Sequence, residues 1–355
     1  MRMLVTGGAG FIGSALVRYL VDELEYETLN IDKLTYAGNL DSLSKIKNKS
    51  LHRFHQLDIC NLNELKNIVS SYKPDKIFHL AAETHVDRSI DGPIDFINTN
   101  IIGTYNMLEA ALEYFKSLPS AKKDSFLFLN VSTDEVFGEL DNNPSNVFTE
   151  LTSYSPNSPY SASKASADHM VNAWNKTFQL PTITTNCSNN YGPFHFPEKL
   201  IPLSIINALA GKSINIYGHG NQIRDWLFVE DHVKALYKIA TEGAVGEKYN
   251  IGGNNEKQNI EVVSEICDFL DQSNIKKPTS IHSFKELITF VSDRPGHDFR
   301  YAIDSSKLTK DLGWMPQETF NSGLKKTINW FIDNKWWWEP IVASRYSGER
   351  LGTKE

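Results

Sequence analysis

The length, composition and charge of the chain exclude several classes of protein. Its 355 residues are enough to bury a large core, and they suit one large domain or two smaller ones. The formal net charge of -7 and a pI near 5.8 provide no basic surface for nucleic acid. The sequence also lacks an apolar run of about twenty residues that would span a bilayer. We therefore expect a protein that acts on small molecules, with no nucleic acid or membrane partner.

The N-terminus and the cysteines indicate the compartment. The chain begins directly with a predicted strand and has no apolar signal region or small-residue cleavage site, so we expect a cytoplasmic location. The three cysteines, Cys60, Cys187 and Cys267, are widely spaced and form no CxxC pair. This pattern favours buried free thiols over disulfides or zinc, and we predict no metal centre.

A glycine-rich segment follows the first predicted strand, Arg2 to Val5. The segment reads Thr6-Gly7-Gly8-Ala9-Gly10-Phe11-Ile12-Gly13 and leads into a helical pattern from Ser14 to Val21. Its first glycines permit a tight turn close to a pyrophosphate, and its last glycine permits close helix packing. Because the N-terminus of a helix favours an anion, the segment predicts a dinucleotide-binding site.

An acidic residue follows the second predicted strand, Glu27 to Ile31. This residue, Asp32, lies about twenty residues beyond the glycines, where an acid hydrogen-bonds the adenosine ribose hydroxyls. That position favours NAD over NADP, although the neighbouring Lys33 could tolerate a phosphate. Asp58 and Ile59, after the next strand, could contact the adenine.

Strands and helices continue to alternate. The predicted strand Lys76 to Leu80 ends in Ala81 and Ala82, whose small side chains let the backbone approach a cofactor. Thr99, on a predicted helix from Phe96 to Phe115, could face the same cofactor. The alternation predicts an α/β fold with a doubly wound parallel sheet, Rossmann-like, over residues 1–187. We interpret residues 188–355 as mainly a smaller, interleaved substrate-binding lobe.

Polar residues follow the apolar strand predicted from Phe126 to Val131. Reacting groups in open α/β sheets lie just beyond the carboxyl ends of the strands, where this chain has Ser132, Thr133, Asp134 and Glu135. We therefore expect these residues beside a substrate. The alternative is that the two acids only begin a helix, since acids are favoured in a first turn.

Tyr160 and Lys164 lie four residues apart on the next predicted helix, which Ser158 caps and Pro159 begins. A nearby ammonium stabilises a phenolate, so we expect the pKa of Tyr160 to fall from its usual value of about 10. The hydroxyl would then serve as an acid or base. The pair alone could equally be an exposed tyrosine and a solvated lysine.

The second half of the chain carries two arginines in segments rich in glycine and proline. The guanidinium groups of Arg224 and Arg294 suit bidentate contacts to phosphate. They could equally be surface residues or partners of Asp225 and Asp293. The C-terminal Trp336-Trp337-Trp338 segment continues a helical apolar pattern, which predicts packed core or an oligomer contact.

From Met3 to about Trp330 the chain resembles the extended short-chain dehydrogenases/reductases and, within them, the dTDP-glucose 4,6-dehydratase family. The shared group motifs are the glycine-rich segment, the Tyr160-xxx-Lys164 pair and Asn189 to Pro193. The motifs specific to the family are Asp32 to Asn39, Ala82 to Ser89, Ser132 to Val136, Phe194 to Leu200, Arg224 to Trp226 and Asp293 to Asp298. Phe137 departs from the pattern, because the family usually has tyrosine there.

The resemblance implies a lyase that converts dTDP-glucose to dTDP-4-keto-6-deoxyglucose and water, as a homodimer that serves deoxysugar biosynthesis, for example of dTDP-rhamnose. Tyr160, assisted by Lys164 and Thr133, would remove the 4-hydroxyl proton while carbon 4 gives hydride to NAD. The resulting ketone acidifies carbon 5. Glu135 would then act as base and Asp134 as acid in the loss of the 6-hydroxyl, before hydride returns to carbon 6.

The resemblance also implies binding residues for each ligand. For NAD they are Gly7, Gly10, Phe11, Ile12, Gly13, Asp32, Lys33, Leu34, Thr35, Asp58, Ile59, Leu80, Ala81, Ala82, Thr99, Tyr160, Lys164 and Asn190. For the nucleotide sugar they are Thr84, Asn189, Lys199, Tyr217, Arg224, Asn259, Arg294 and His297, with the arginines on the diphosphate.

Two other functions stay open at this point. A nucleotide-sugar 4-epimerase on the same scaffold would form the ketone and reduce it again without loss of water. A non-catalytic NAD-binding regulator would bind the cofactor without turnover. The choice of dTDP over UDP or CDP rests on the resemblance alone.

Overall fold

The computed structural model describes residues 1–273, 275–277 and 281–346. The strands in these ranges are β1 Arg2–Thr6, β2 Glu27–Asp32, β3 His52–Gln56, β4 Lys76–His79, β5 Leu127–Thr133, β6 Thr182–Cys187, β7 Asn189–Tyr191, β8 Ile214–Tyr217, β9 Ile223–Phe228, β10 Lys248–Ile251, β11 Glu256–Gln258 and β12 Ile288–Val291. The α-helices are α1 Phe11–Arg18, α2 Leu62–Tyr72, α3 Val86–Asp91, α4 Pro93–Phe96, α5 Thr104–Ser117, α6 Ser120–Lys123, α7 Pro159–Phe178, α8 Leu200–Ala210, α9 Val229–Glu242, α10 Asn259–Gln272, α11 Ser306–Leu312, α12 Phe320–Asp333 and α13 Lys335–Ser344.

Shorter helical segments complete the described ranges. Two are π-helical, Tyr19–Glu23 and Ile97–Gly103, and four are 3₁₀ turns, Leu40–Leu43, Lys49–Leu51, Asp134–Phe137 and Phe284–Leu287. Across all of these ranges, no helix combines the length and apolar character that a membrane crossing requires.

Seven strands form one parallel sheet in the order β10-β6-β5-β4-β1-β2-β3. In register, Leu4 of β1 pairs with Leu29 of β2 on one side and with Ile77 of β4 on the other. The strand order reverses between β1 and β4, and helices cover both faces. This topology confirms the predicted doubly wound, Rossmann-like sheet.

The central strands are apolar because both of their faces are buried. Met3 and Val5 of β1 point to a core shared with α1 and α9, whereas Leu4 points to a core shared with α2, α5 and α7. Successive side chains of a strand alternate between the two faces of a sheet. Parallel sheets with helices on both faces therefore use near-continuous apolar runs, which is the pattern that the sequence displays.

The large sheet takes its edge strand from late in the chain. Strand β10 pairs with β6, and helix α9 packs against α1 although it lies beyond residue 188. Between and after these elements, a smaller lobe contains a three-stranded sheet, β11-β9-β7, and a two-stranded sheet, β12-β8. The two lobes thus interleave in sequence, and a division of the chain at residue 187 stays a prediction.

The structure differs from the predicted elements in one strand end, in the type of one helix and in the placement of one arginine. Strand β5 continues to Thr133, because Ser132 and Thr133 still pair with β6 despite their polar side chains. The predicted helix from Phe96 to Phe115 contains a π-helical stretch, an irregularity often found near functional sites. Arg224 lies within β9 and not in a loop.

The tryptophans at the C-terminal end pack mainly into the core of the smaller lobe. Trp337 and Trp338 are buried, whereas Trp336 is 40% exposed. The indole of Trp337 contacts the rings of Phe194 and Trp330, and it donates a hydrogen bond to Ser42 Oγ at 3.0 Å. The predicted core role is therefore confirmed for two of the three residues.

This difference in burial predicts different costs of truncation. We expect Trp337→Ala to lower the free energy of unfolding by about 3–5 kcal/mol, because it leaves a large cavity. Trp336→Ala, which removes an exposed ring over Lys45, should cost less than about 1 kcal/mol. Urea denaturation of both variants measures the difference, and equal losses would contradict the packing described.

Candidate active site

A cavity of about 490 Å³ opens at the carboxyl ends of the large sheet, where the strand order reverses. Its walls come from the segments that follow β1, β2, β4, β5 and β6 and from loops of the smaller lobe. Every residue predicted for catalysis, cofactor or substrate lines this cavity, with the exception of Leu34. The backbone N–H of Leu34 instead donates to Asp32 Oδ1 at 2.8 Å, which orients that carboxylate.

The glycine loop forms a cradle at one end of the cavity. Gly7 has a φ of +73°, and a Cβ atom there would lie 2.7 Å from the backbone nitrogen of Ala81. A Cβ at Gly13 would lie 2.1 Å from the carbonyl oxygen of Gly7. Gly10 caps α1 without any side-chain hydrogen bond to the first turn. Because the first amides of a helix lack partners within the helix, this cradle fits an anionic pyrophosphate.

The Asp32 carboxylate lies at the edge of the cradle. Its two oxygens accept hydrogen bonds from the backbone nitrogens of Ala9 at 2.9 Å and Leu34 at 2.8 Å. A carboxylate has further acceptor capacity, so it is still able to accept ribose hydroxyls. The ammonium of Lys33 pairs with Asp58 at 2.6 Å. A 2′-phosphate would therefore compete with an existing ion pair, and the residues fit NAD better than NADP.

Tyr160 and Lys164 enter the cavity from the first turns of α7. Ser158 caps the helix, its hydroxyl accepts from the Ser161 backbone, and Pro159 occupies the first turn, as predicted. Both side chains are buried. The Lys164 ammonium donates to the carbonyl oxygen of Val131 on β5 at 2.9 Å. The reading of this pair as an exposed tyrosine and a solvated lysine is therefore excluded.

The expected electrostatic effect of Lys164 on Tyr160 is wrong for this structure. Burial, followed by the charges of Glu135 and Cys187, raises the pKa of Tyr160 well above its usual value, whereas a hydrogen bond with Thr133 lowers it. Burial also lowers the pKa of Lys164. Desolvation disfavours the charged form of both groups and is the largest effect on each pKa. Tyr160 thus keeps its proton at neutral pH.

Asp134 and Glu135 occupy contrasting environments. Asp134 is 1% exposed, and its Oδ2 atom has no hydrogen-bond partner among the described residues. Burial, followed by the charges of Glu135 and Asp225, raises the pKa of Asp134 well above its usual range. Burial also raises the pKa of Glu135, but three cations act in the opposite direction. Burial therefore strongly favours the protonated form of Asp134, whereas at Glu135 the three cations oppose the same effect.

The predicted alternative for the acids is also partly right. Asp134 and Glu135 begin a 3₁₀ turn, and the Thr133 hydroxyl accepts a hydrogen bond from the Glu135 backbone nitrogen at 3.3 Å. The turn fixes their direction, since it starts at the last residue of β5. Asp134 and Glu135 therefore both begin a helical turn and line the cavity.

The three cations that face Glu135 are Arg224, Arg294 and Lys199. Arg224 donates to the carbonyl oxygens of Ile223 and Asp298, both at 2.8 Å, and forms no ion pair within the described part of the chain. The Lys199 ammonium donates to the Thr84 carbonyl oxygen at 3.4 Å. The suggested pairing of Arg224 with Asp225 is wrong, because the Asp225 carboxylate accepts from the backbone of Gly253 and Asn255.

Arg294 has a carboxylate partner, but it is not the predicted one. Its guanidinium pairs with Asp87 on α3, while the neighbouring Asp293 contacts His297 at 2.6 Å. Asp87 is itself buried on α3. Among the described residues, two of these three cations, Arg224 and Lys199, form no ion pair with a carboxylate, an arrangement that suits a polyanionic ligand.

Several lining residues were not predicted from the sequence. His195 stacks on Phe11 with ring centroids 4.3 Å apart, and Tyr301 lies 4.2 Å from the Arg224 guanidinium. Glu198 accepts from Arg88 at 3.0 Å and from the Tyr36 hydroxyl at 3.1 Å. His195 and Glu198 belong to the Phe194 to Leu200 motif of the family, so the sequence did indicate that they could lie near the site. Nothing in the sequence around Tyr301 indicated its position.

Comparisons with known proteins identify the family of the chain. The family model described as GDP-mannose 4,6 dehydratase matches residues 4–327. A dTDP-glucose 4,6-dehydratase of Escherichia coli is 58% identical over 363 residues, which cover 100% of this chain and 100% of that protein.

Two solved structures extend the comparison. The dTDP-glucose 4,6-dehydratase of Bacillus anthracis, in complex with NAD, is 43% identical with a TM-score of 0.84, covering 96% of this chain and 99% of that one. The enzyme of the same name from Streptomyces venezuelae, with NAD and TYD bound, is 39% identical with a TM-score of 0.86, covering 96% and 100%. On this family match and this full-length identity, the chain belongs to the dTDP-glucose 4,6-dehydratase family.

Proposed function

We propose that this protein is an NAD-dependent dTDP-glucose 4,6-dehydratase that forms dTDP-4-keto-6-deoxyglucose and water for deoxysugar biosynthesis. The observation that carries the proposal is the pair of acids beside Tyr160. Asp134 is buried with an unpartnered oxygen, and Glu135 faces three cations. A water-eliminating enzyme needs one acid and one base of this kind close together, with their pKa values pushed apart.

The cofactor is supported by the cradle at the glycine loop. The pyrophosphate of NAD would lie in the space at Gly7, against the N-terminus of α1. The ribose hydroxyls would donate to the Asp32 carboxylate. When bound there, NAD supplies a hydride acceptor for carbon 4 and a hydride donor for carbon 6. Since the hydride is returned within one cycle, the overall reaction is redox-neutral.

Tyr160 and its neighbours act at the sugar 4-hydroxyl. Tyr160 accepts the hydroxyl proton in its phenolate form. Burial makes this form the minor one at neutral pH, and the hydrogen bond with Thr133, which lowers the pKa of Tyr160, favours it. Lys164 lies one helical turn away, and its positive charge favours the phenolate that accepts this proton. Because the site is buried, these interactions are stronger than they would be in water.

Asp134 and Glu135 act on the neighbouring carbons. Glu135 removes the hydrogen of carbon 5, which the ketone at carbon 4 has made acidic. Asp134 gives its proton to the 6-hydroxyl as the carbon 6–oxygen bond breaks, and water leaves. These two steps require a protonated Asp134, which its surroundings favour, and an ionised Glu135, whose charge the three neighbouring cations stabilise.

The cations that line the cavity would bind the nucleotide diphosphate. Arg224 and Lys199 have no carboxylate partner in the described ranges, so two phosphate charges would compensate them. Arg294, His297 and Tyr217 line the same part of the cavity. Guanidinium groups bind phosphate oxygens in a bidentate manner, which would also fix the sugar relative to Tyr160.

A 4-epimerase is less well supported. That reaction also needs a hydride acceptor and the tyrosine, but it eliminates nothing, so it gives no role to a protonated Asp134. Burying a carboxyl group with an unpartnered oxygen is unfavourable. Its presence at the strand end therefore favours elimination.

The homodimer is supported by an exposed apolar face. The helical segment 93–117 and helix α7 pack together. They expose five large apolar side chains, Ile94 (59%), Ile97 (45%), Ile102 (46%), Tyr105 (38%) and Phe178 (43%). A second copy of the chain, related by a two-fold axis, would cover this face with its own equivalent surface.

The first test of the proposed function is the mass of the product. Incubation of the purified protein with dTDP-glucose and no added cofactor should yield a product lighter by one water, since NAD is expected to copurify. UDP-glucose and CDP-glucose should react more slowly. An unchanged mass together with inverted configuration at carbon 4 would instead identify an epimerase.

The base is tested by Glu135→Gln. We expect this change to slow loss of water by at least about 100-fold, because a neutral amide does not accept the carbon 5 hydrogen. Rapid-quench mass spectrometry measures the step, and Glu113→Gln on the surface serves as the matched control. Loss of water at the normal rate in Glu135→Gln would refute the assignment.

The dimer is tested by Ile102→Arg. A charge in the centre of an apolar interface should weaken association by at least about tenfold, which light scattering after gel filtration measures. Leu151→Arg changes a residue that is 94% exposed on another surface and should leave the dimer intact. A monomeric wild-type protein at micromolar concentration would contradict the proposal.

A further inference from the structure

A buried carboxylate, Asp168, lies behind the Tyr160–Lys164 pair. It is 1% exposed and belongs to α7, one helical turn after Lys164. No step of the proposed reaction uses it. Neither the glycine-loop pattern nor the spacing of the catalytic motifs pointed to it.

Four side chains donate hydrogen bonds to this carboxylate. Oδ1 accepts from Asn130 Nδ2 at 2.8 Å, and Oδ2 accepts from Ser132 Oγ at 2.8 Å, Tyr154 OH at 3.0 Å and Asn186 Nδ2 at 3.2 Å. An ionised carboxylate is an acceptor only, with about four lone-pair positions. Four donors around one buried acid are therefore the environment of a charged carboxylate.

The donors come from the elements that carry the catalytic groups. Asn130 and Ser132 belong to β5, which ends at Thr133 and leads into Asp134. Asn186 belongs to β6, the next strand of the sheet. Through Asp168 the network joins these strands to α7, the helix that carries Tyr160.

The charge of Asp168 also acts on Lys164. Each group favours the ionised form of the other, although burial of both groups is the larger effect. Lys164 itself makes one hydrogen bond, to the Val131 carbonyl oxygen, which is a neutral acceptor. In a buried site an ammonium needs an anion nearby to stay charged.

We propose that Asp168 is a positioning residue of the active site, whose carboxylate keeps Lys164 charged and fixes helix α7 against strands β5 and β6. The inference rests on the proposed function only in so far as Lys164 and Tyr160 are taken to act together. It assigns Asp168 no contact with the substrate.

Other titratable groups face this pair from the neighbouring elements. Cys187 of β6 and His79 of β4 lie close enough to Lys164 for their charges to interact. Lys248 of β10 interacts with Asp168, and its ammonium lies 4.3 Å from the ring of Tyr154. Burial lowers the pKa of His79 to about 3 and raises that of Cys187 to about 12. Both are therefore neutral between pH 6 and pH 9, which leaves Asp168 as the anion that compensates Lys164.

The test is Asp168→Asn, which removes the charge and keeps the shape. Without the carboxylate the ammonium form of Lys164 is less favourable, so its pKa should fall by about 1 to 3 units. The alkaline limb of the pH profile of kcat/KM should move to lower pH by the same amount. NMR titration of isotope-labelled lysines follows Lys164 directly, with its signal assigned from Lys164→Met.

Tyr154→Phe is the matched control. It removes one hydrogen bond to Asp168 and keeps the charge, so it should lose thermal stability while its alkaline limb stays at the wild-type pH. Asp168→Glu, which restores the charge, should bring the limb back towards the wild-type position. A Lys164 titration that is the same in folded, NAD-loaded Asp168→Asn and in the wild type would overturn the inference.

The new amide nitrogen of Asp168→Asn would face Asn130 Nδ2 or Asn186 Nδ2, which only donate, so this variant loses stability and could fail to fold. If that variant does not fold, the titration of Lys164 in the wild-type protein tests the proposal. A Lys164 that keeps its ammonium beyond pH 8 supports the proposal, and one that is neutral at pH 7 overturns it. Because this titration needs no substrate, the inference is tested even if the protein leaves dTDP-glucose unchanged.

Discussion

The free-energy cost of removing charged side chains from water determines how the active site of this protein is arranged. Asp134, Lys164, Asp168 and Arg224 are each less than a tenth exposed, and a lone buried charge is costly. The chain meets this constraint in different ways within one cavity. Asp168 receives four donors, Asp134 is favoured in its neutral form, and Arg224 retains a charge for a ligand to compensate. The chemistry of the site follows from which groups are compensated by the protein and which are not.

Much of the fold was predictable because burial leaves a strong pattern in the sequence. Strands β1 and β6 are short apolar or β-branched runs, and helix α7 begins at Pro159 after its Ser158 cap, as predicted. Strand pairing continues through polar residues, however, so the end of β5 at Thr133 could not be read from hydrophobicity. The placement of Arg224 in β9 was missed because glycine and proline nearby suggested a loop.

The candidate site was predictable in its membership but less so in its energetics. All of the predicted site residues except Leu34 line the cavity, since each glycine, acid or arginine of the motifs has a position that its chemistry requires. The pKa of Tyr160 was predicted in the wrong direction, because a sequence records the neighbour four residues away and not the loss of solvent. Asp168 and Tyr301 went unnoticed for a related reason: their partners come together only in the folded chain.

The late arrival of strand β10 has a consequence for synthesis of the protein. Strand β6 is complete at Cys187, but its partner at the sheet edge ends at Ile251. On the ribosome, the edge of a largely formed sheet is therefore exposed for several seconds while the intervening chain is made. An unpaired edge is a template for other strands, including those of a neighbouring nascent chain. The interleaving that builds the cavity thus makes the period before β10 emerges the one most open to misassembly.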